Sequence, residues 1–139
     1  NHFFLNNVLE SKTGNSLSLG ILYLVLAQQV DMPVYGVVLP RFFVLGYAKH
    51  FLHDFDDPKI QGDILFYINA ANRGTIFSRN EIKQYVQKLD VEDKKKFYSP
   101  ISNKKVIDTL LSYLADVYEG QNEHEKVEEL KELRSLLQG

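Results

Sequence analysis

Residues 14–47 read GNSLSLGILYLVLAQQVDMPVYGVVLPRFFVLGY, and the fold turns on how this stretch divides. In its first half Leu19, Ile21, Leu22, Leu24, Val25 and Leu26 fall on every side of a helix. A helix apolar around its whole circumference belongs in the middle of a fold. Ser16 is a good N-cap type, because its hydroxyl can accept from an otherwise orphan N–H of the first turn; residues 11–15 then read as a turn. Gly20 costs about 1 kcal/mol relative to alanine inside a helix, and close approach by another backbone is the expected reason to keep it. Pro33 breaks the helical pattern. VYGVVL (34–39) and FFVLGYA (42–48) are dense in β-branched and aromatic residues and read as strands, with Pro40 between them. Alternation sets Phe43, Leu45 and Tyr47 on one face of the second strand and Phe42, Val44 and Gly46 on the other, with core packing as the default role for its aromatics.

Outward from this stretch, residues 1–10 read as a helix with Phe4, Leu5, Val8 and Leu9 on one face. ILFYINA (64–70) is a third strand, reached through the polar loop HDFDDPKIQGD (53–63) and followed by the turn ANRG (71–74). Ser78 and Glu81 form an S-x-x-E capping box for a helix through about Lys88. Residues 90–98 make a short charged helix or turn. Ser102 can cap a helix carrying Val106, Ile107, Leu110, Leu111, Leu114 and Val117, which Gly120 stops. A last helix over 123–137 carries Val127, Leu130, Leu133 and Leu137. The expected class is α+β: a buried central helix on a small antiparallel sheet in residues 1–90, then a helical hairpin within residues 91–139 that packs on it.

The chain has 139 residues, 45% of them hydrophobic and 24% charged, which suits one soluble domain with a sizeable core. A formal charge of -2 argues for neither a nucleic acid nor a membrane partner. With no cysteine, there is no disulfide, no thiolate metal site and no cysteine nucleophile. The apolar run 17–27 is shorter than the roughly 20 residues a bilayer span needs. It also lacks the basic lead-in and the small-residue cleavage site of a signal peptide. The start at Asn1, hydrophobic at once in Phe3, Phe4 and Leu5, reads as a fragment or processed form with its upstream part missing.

A central helix followed by antiparallel strands is the layout of papain-like and transglutaminase-like cores, where a thiol at the helix N-terminus is activated by the helix dipole and a strand histidine. FLNNVLESKTGNSLSLGILYLVLAQQVDMPVYGVVLPRFFVLGY, with the later INAANRG, resembles the SirB-type bacterial branch of the transglutaminase-like superfamily. That pattern has a leucine-rich lead-in, a Gly-x-Pro-x-Ser-Leu helix start, a Gly-Val segment, a Pro-Gly-His-Phe strand and an Ile-Asp-Pro-Phe-Asn-Gly-Gly strand and turn. The resemblance covers nearly the whole chain and implies an upstream helical segment and a helical C-terminal extension. It sets the catalytic cysteine at Ser16, the histidine at Phe42, its preceding glycine at Arg41 and the aspartate at Asn69. A phenyl ring accepts no proton, so the resemblance implies a disabled triad, with Arg41 and Asn69 as candidate residues at the rim of the old cleft.

Serine chemistry is the rival. Ser16 or Ser18 needs a positioned base. Of His2, His50, His53 and His124, His50 is nearest in sequence, eight residues past Phe42 and roughly 26 Å along an extended strand. HFLHDFDDP (50–58) gathers metal-ligating atoms. It is no EF-hand, because Lys59 stands where the loop glycine belongs and Leu65 where the closing glutamate belongs. It reads as a solvated loop, and no metal or cofactor is expected. Lys94, Lys95 and Lys96 are interrupted by acidic neighbours and have no aromatic platform, so no nucleic-acid partner is expected. YLADVYEGQNEHEKVEELKELRSLL (113–137) resembles one tetratricopeptide hairpin, and the helices between Ser102 and Gln138 are the candidate surface for an unknown protein partner. The leading expectation is an inactive transglutaminase-like domain, cytoplasmic and bacterial, that binds or scaffolds; a Ser16 hydrolase or acyltransferase and a scaffold acting through the C-terminal helices are its alternatives.

Overall fold

The computed structural model describes the backbone of residues 12–138 and the side chains of residues 16–138. The helix read over residues 1–10 lies outside the described residues. The chain divides after Ser102 into two compact units.

In the first unit, helix α1 (Lys12–Gln29) already runs through the residues read as a turn. Ser16 therefore lies four residues inside α1 and does not cap it. Its side chain is buried and meets the sheet, and that tertiary contact overrides the capping preference of Gly-Asn-Ser chemistry. Leu17 and Leu24 are buried with it. The all-round apolar character of α1 does not give all-round burial: Leu22, Val25 and Leu26 are each about half exposed. Asp31, in the left-handed region at φ 55°, ends the helix two residues before Pro33.

Strands β1 (Val34–Leu39), β2 (Phe42–Ala48), β3 (Ile64–Asn69) and β4 (Thr75–Phe77) form one antiparallel sheet in that order. The first three follow the sequence reading. β4 is a strand of three residues that was not expected. Leu39 pairs with Phe42, so Pro40 and Arg41 alone make the β1–β2 turn. Proline followed by a residue at positive φ, here Arg41 at 57°, is the type II pattern, in which the third position favours glycine.

Strand alternation gives the sheet two different faces. On one, Phe43 lies against Gly20 of α1 so closely that a Cβ at Gly20 would fall 2.5 Å from the ring. The close approach expected at Gly20 is thus made by a ring and not by a backbone. On the other face Val37, Leu39, Val44 and Tyr67 pack with Ile82 and Val86 of helix α2 (Arg79–Lys88) and with Phe97 and Tyr98. The capping box holds: the Ser78 hydroxyl accepts the Glu81 N–H. Residues beyond α2 stay on the sheet. The Tyr67 hydroxyl donates to the Tyr98 carbonyl at 2.7 Å, and the Ile101 N–H donates to the Gly36 carbonyl at 2.8 Å. Burial pushes the Tyr67 phenol up to about 12, against the pull of the Arg79 charge.

The second unit is a helical hairpin of α3 (Asn103–Gly120) and α4 (His124–Gln138). Gly120 is still helical; Asn122, at φ 59°, takes the left-handed position that reverses the chain. Arg134 on α4 donates to both carboxylate oxygens of Asp108 on α3, at 2.9 and 3.3 Å, and holds that carboxyl below its usual range. Among the described residues no helix is long and apolar enough to cross a membrane.

Candidate functional site

Ser16 is fully buried, and its Oγ accepts the backbone N–H of Phe43 at 2.9 Å. The bond ties α1 to β2 one residue past the β1–β2 turn. It also fixes which way Phe42 points. Phe43 turns toward Gly20 on the α1 side, so its neighbour Phe42 turns to the opposite face. There the Phe42 ring lies 6.2 Å, centroid to centroid, from that of Tyr85 on α2. The Phe42 ring therefore lies across the sheet from the Ser16 hydroxyl.

What Phe42 does share is a cavity with Asn69. The cavity holds about 330 Å³ between the ends of β2 and β3, β4 and the first turns of α2. Phe42, Phe77 and Tyr85 give it aromatic walls; Asn69, Thr75 and Glu81 give it polar groups. Asn69 closes β3 before the short 3-10 turn Ala70–Asn72, and its backbone carbonyl accepts the Gly74 N–H at 3.0 Å. Its side-chain Oδ1 is buried with no hydrogen-bond partner. The Tyr85 hydroxyl donates to the Pro40 carbonyl at 2.6 Å and closes the cavity toward the β1–β2 turn. Burial raises the Tyr85 pKa, while the nearby Arg41 guanidinium pulls it down. Arg41 thus acts on this region electrostatically from the turn.

The histidines of the first unit within the described residues lie elsewhere. His50 and His53 line a shallow cavity of about 280 Å³ with Asp54, Asp57 and Asp63, beyond the far end of β2. Ala48, the last residue of β2, is already about 17 Å from Phe43 along an extended strand. His50 Nδ1 lies 3.0 Å from the Phe51 carbonyl oxygen, and its Nε2 lies 3.9 Å from Asp63. Asp54 and Asp57 accept N–H bonds from Asp56 and Lys59, the local turn bonds of a solvated loop. Among the described residues no three His, Asp or Glu side chains are grouped to hold a metal.

A larger cavity of about 510 Å³ lies on the α1 face, between Leu26, Val30 and Met32 on one side and Leu45, Tyr47 and Phe66 on the other. Its lining is mostly apolar; Tyr23, Gln29 and Tyr47 carry its polar side-chain groups, and among the described residues no carboxylate, imidazole or amine lines it. The polar site is therefore the one at Phe42 and Asn69. Both positions were singled out from sequence; Phe77, Glu81 and Tyr85 were not. The capping box marked Glu81 only as a helix-start residue, and no local signal joins it to a strand twelve residues earlier.

Comparison with curated proteins and with solved structures returns no match. The profile of the family described as Transglutaminase-like superfamily matches residues 1–112, which takes in the whole sheet, α1 and α2. An α-helix packed on an antiparallel sheet, with the matched segment covering most of the chain, places the protein plainly: it belongs to the transglutaminase-like superfamily.

Proposed function

We propose that this chain is a catalytically inactive transglutaminase-like domain that works as a binding module through the cavity at Phe42 and Asn69. The observation that carries this reading is the state of Ser16. A nucleophile must meet substrate and a base. Ser16 is fully buried, its Oγ accepts a backbone N–H, and the ring at the histidine position faces the other side of the sheet. We infer further that the chain is of the SirB-type bacterial branch and works in the cytoplasm, with Arg41 and Asn69 at the rim of the old cleft and a tetratricopeptide-like pair between Ser102 and Gln138. Exposed Ile107, Leu133 and Leu136 favour a second contact surface for a protein on that pair.

Incubation with a serine-directed fluorophosphonate probe tests the main reading. The expected result is no covalent adduct by intact mass. Stoichiometric labelling that disappears in Ser16→Ala overturns it in favour of a serine hydrolase or acyltransferase. For the helical pair, Leu133→Asp and Leu136→Asp are expected to abolish partner recovery in a pulldown without changing the helical circular dichroism; unchanged recovery removes that surface.

A further inference from the structure

We propose that the Phe42–Asn69 cavity receives an arginine side chain of a partner polypeptide, a proposal that rests on the binding-module reading above and gives it a ligand. The first ground is the orphan acceptor. Asn69 lines the cavity, and its Oδ1 is buried without a hydrogen-bond partner, a costly state that an incoming donor relieves once the side chain turns this oxygen toward it. The second is charge. Glu81 lines the same cavity, and none of the ion pairs formed among the described residues uses its carboxylate. Among the described residues no lysine or arginine lines the cavity. An amide oxygen and a carboxylate together repel an anion and select a ligand rich in N–H donors.

The third ground is shape. Phe42, Phe77 and Tyr85 present rings to the cavity, with the Phe42 and Tyr85 planes inclined at 45°. A guanidinium is flat, stacks on aromatic faces and carries five donors along its edges, enough to reach two acceptors from one plane. An ammonium is compact and strongly hydrated and gains little from such walls. The cavity, at about 330 Å³, has room for one long side chain and not for a helix, whose diameter with side chains is about 10 Å. One charge opposes this ligand. Arg41 sits close enough to act on the Tyr85 hydroxyl and repels an incoming cation. Arg41 therefore sets the ceiling on affinity.

N-acetyl-arginine amide, N-acetyl-lysine amide and N-acetyl-citrulline amide separate the possibilities when titrated into the full chain and followed by NMR shifts. The expected order is arginine tightest, with the lysine and citrulline compounds at least tenfold weaker. Glu81→Gln, at an exposed position, is expected to weaken arginine binding about tenfold. Arg41→Asn, which removes the charge and tolerates the left-handed backbone, is expected to tighten it severalfold. Asn69→Leu is expected to abolish binding; should that variant fail to fold, Asn69→Asp replaces it and is expected to tighten binding. Equal affinity for the three compounds, no binding, or indifference to Glu81→Gln overturns the proposal. The fluorophosphonate experiment separates this failure from failure of the parent reading. An unlabelled Ser16 with no arginine binding sinks the ligand alone, whereas a labelled Ser16 sinks the inactive-domain reading whatever the cavity binds.

Discussion

The Ser16 hydroxyl and the Phe43 amide are joined by a buried 2.9 Å hydrogen bond that fastens α1 to β2. In Ser16→Ala the Phe43 N–H keeps its burial and loses this acceptor. Such a loss costs about 1–3 kcal/mol. The variant is expected to unfold at a lower urea concentration with an unchanged slope, and an unchanged midpoint would show that the bond contributes nothing.

Gly20 is held to its size by the Phe43 ring, which a Cβ would meet at 2.5 Å. Gly20→Ala gains helix propensity of about 1 kcal/mol but overpacks the contact, at a cost of about 1–3 kcal/mol. Net destabilisation is expected. In a Phe43→Leu background the same substitution is expected to become neutral or stabilising; equal effects in the two backgrounds would contradict the contact.

Arg41 occupies the left-handed corner of the β1–β2 turn at φ 57°. Arg41→Gly is expected to leave stability unchanged or slightly raised, and Arg41→Ile, β-branched at positive φ, to lower it by about 1–2 kcal/mol. Thermal midpoints of the two variants decide this, and equal midpoints would rule it out.

Phe42→His restores an imidazole at the position that the family resemblance gives to the base. The ring it replaces lies beside Tyr85, on the sheet face opposite the α1 side on which Phe43 meets Gly20. The variant is expected to form no amide cross-link and to leave Ser16 unlabelled by fluorophosphonate. Cross-linked product from this single variant would refute the placement.

Tyr67 links stability to alkaline pH. Its phenol is raised from 10.0 to about 12, so the folded state holds this proton more tightly than the unfolded chain. The contribution is whole below pH 10 and is lost as pH rises from 10 through 12. Tyr67→Phe removes that ionisation together with the bond to the Tyr98 carbonyl. It is expected to be less stable at pH 8 by about 0.5–1.5 kcal/mol and to lose less stability than the parent between pH 10 and 12. Parallel losses in the two proteins would exclude Tyr67 as the group responsible.

The elements legible in the sequence are those with local chemistry. β1, β2 and the body of β3 show themselves by β-branched and aromatic density, and α2 by the Ser78–Glu81 cap. β4 has three residues and so no period to read. An all-apolar helix does not say which side it exposes, so the open side of α1, with Leu22, Val25 and Leu26, could not be read. Gly-Asn-Ser looks like a helix start, but the pull on Ser16 comes from a strand amide 27 residues away. The candidate site divides the same way. Phe42 and Asn69 stand out by family pattern, whereas Tyr85 reaches the β1–β2 turn across 45 residues, a distance no periodicity spans.

β2 serves two tasks with alternate side chains: Phe43 braces the helix, while Phe42 walls the cavity and Val44 packs in the core on the opposite face. A strand arranged this way is open to substitution but closed to insertion. One added residue between Phe42 and Phe43 would exchange the two sets at a stroke. Side chains of β2 can therefore be exchanged one at a time, whereas a change in the length of this strand turns each residue beyond it to the wrong side of the sheet.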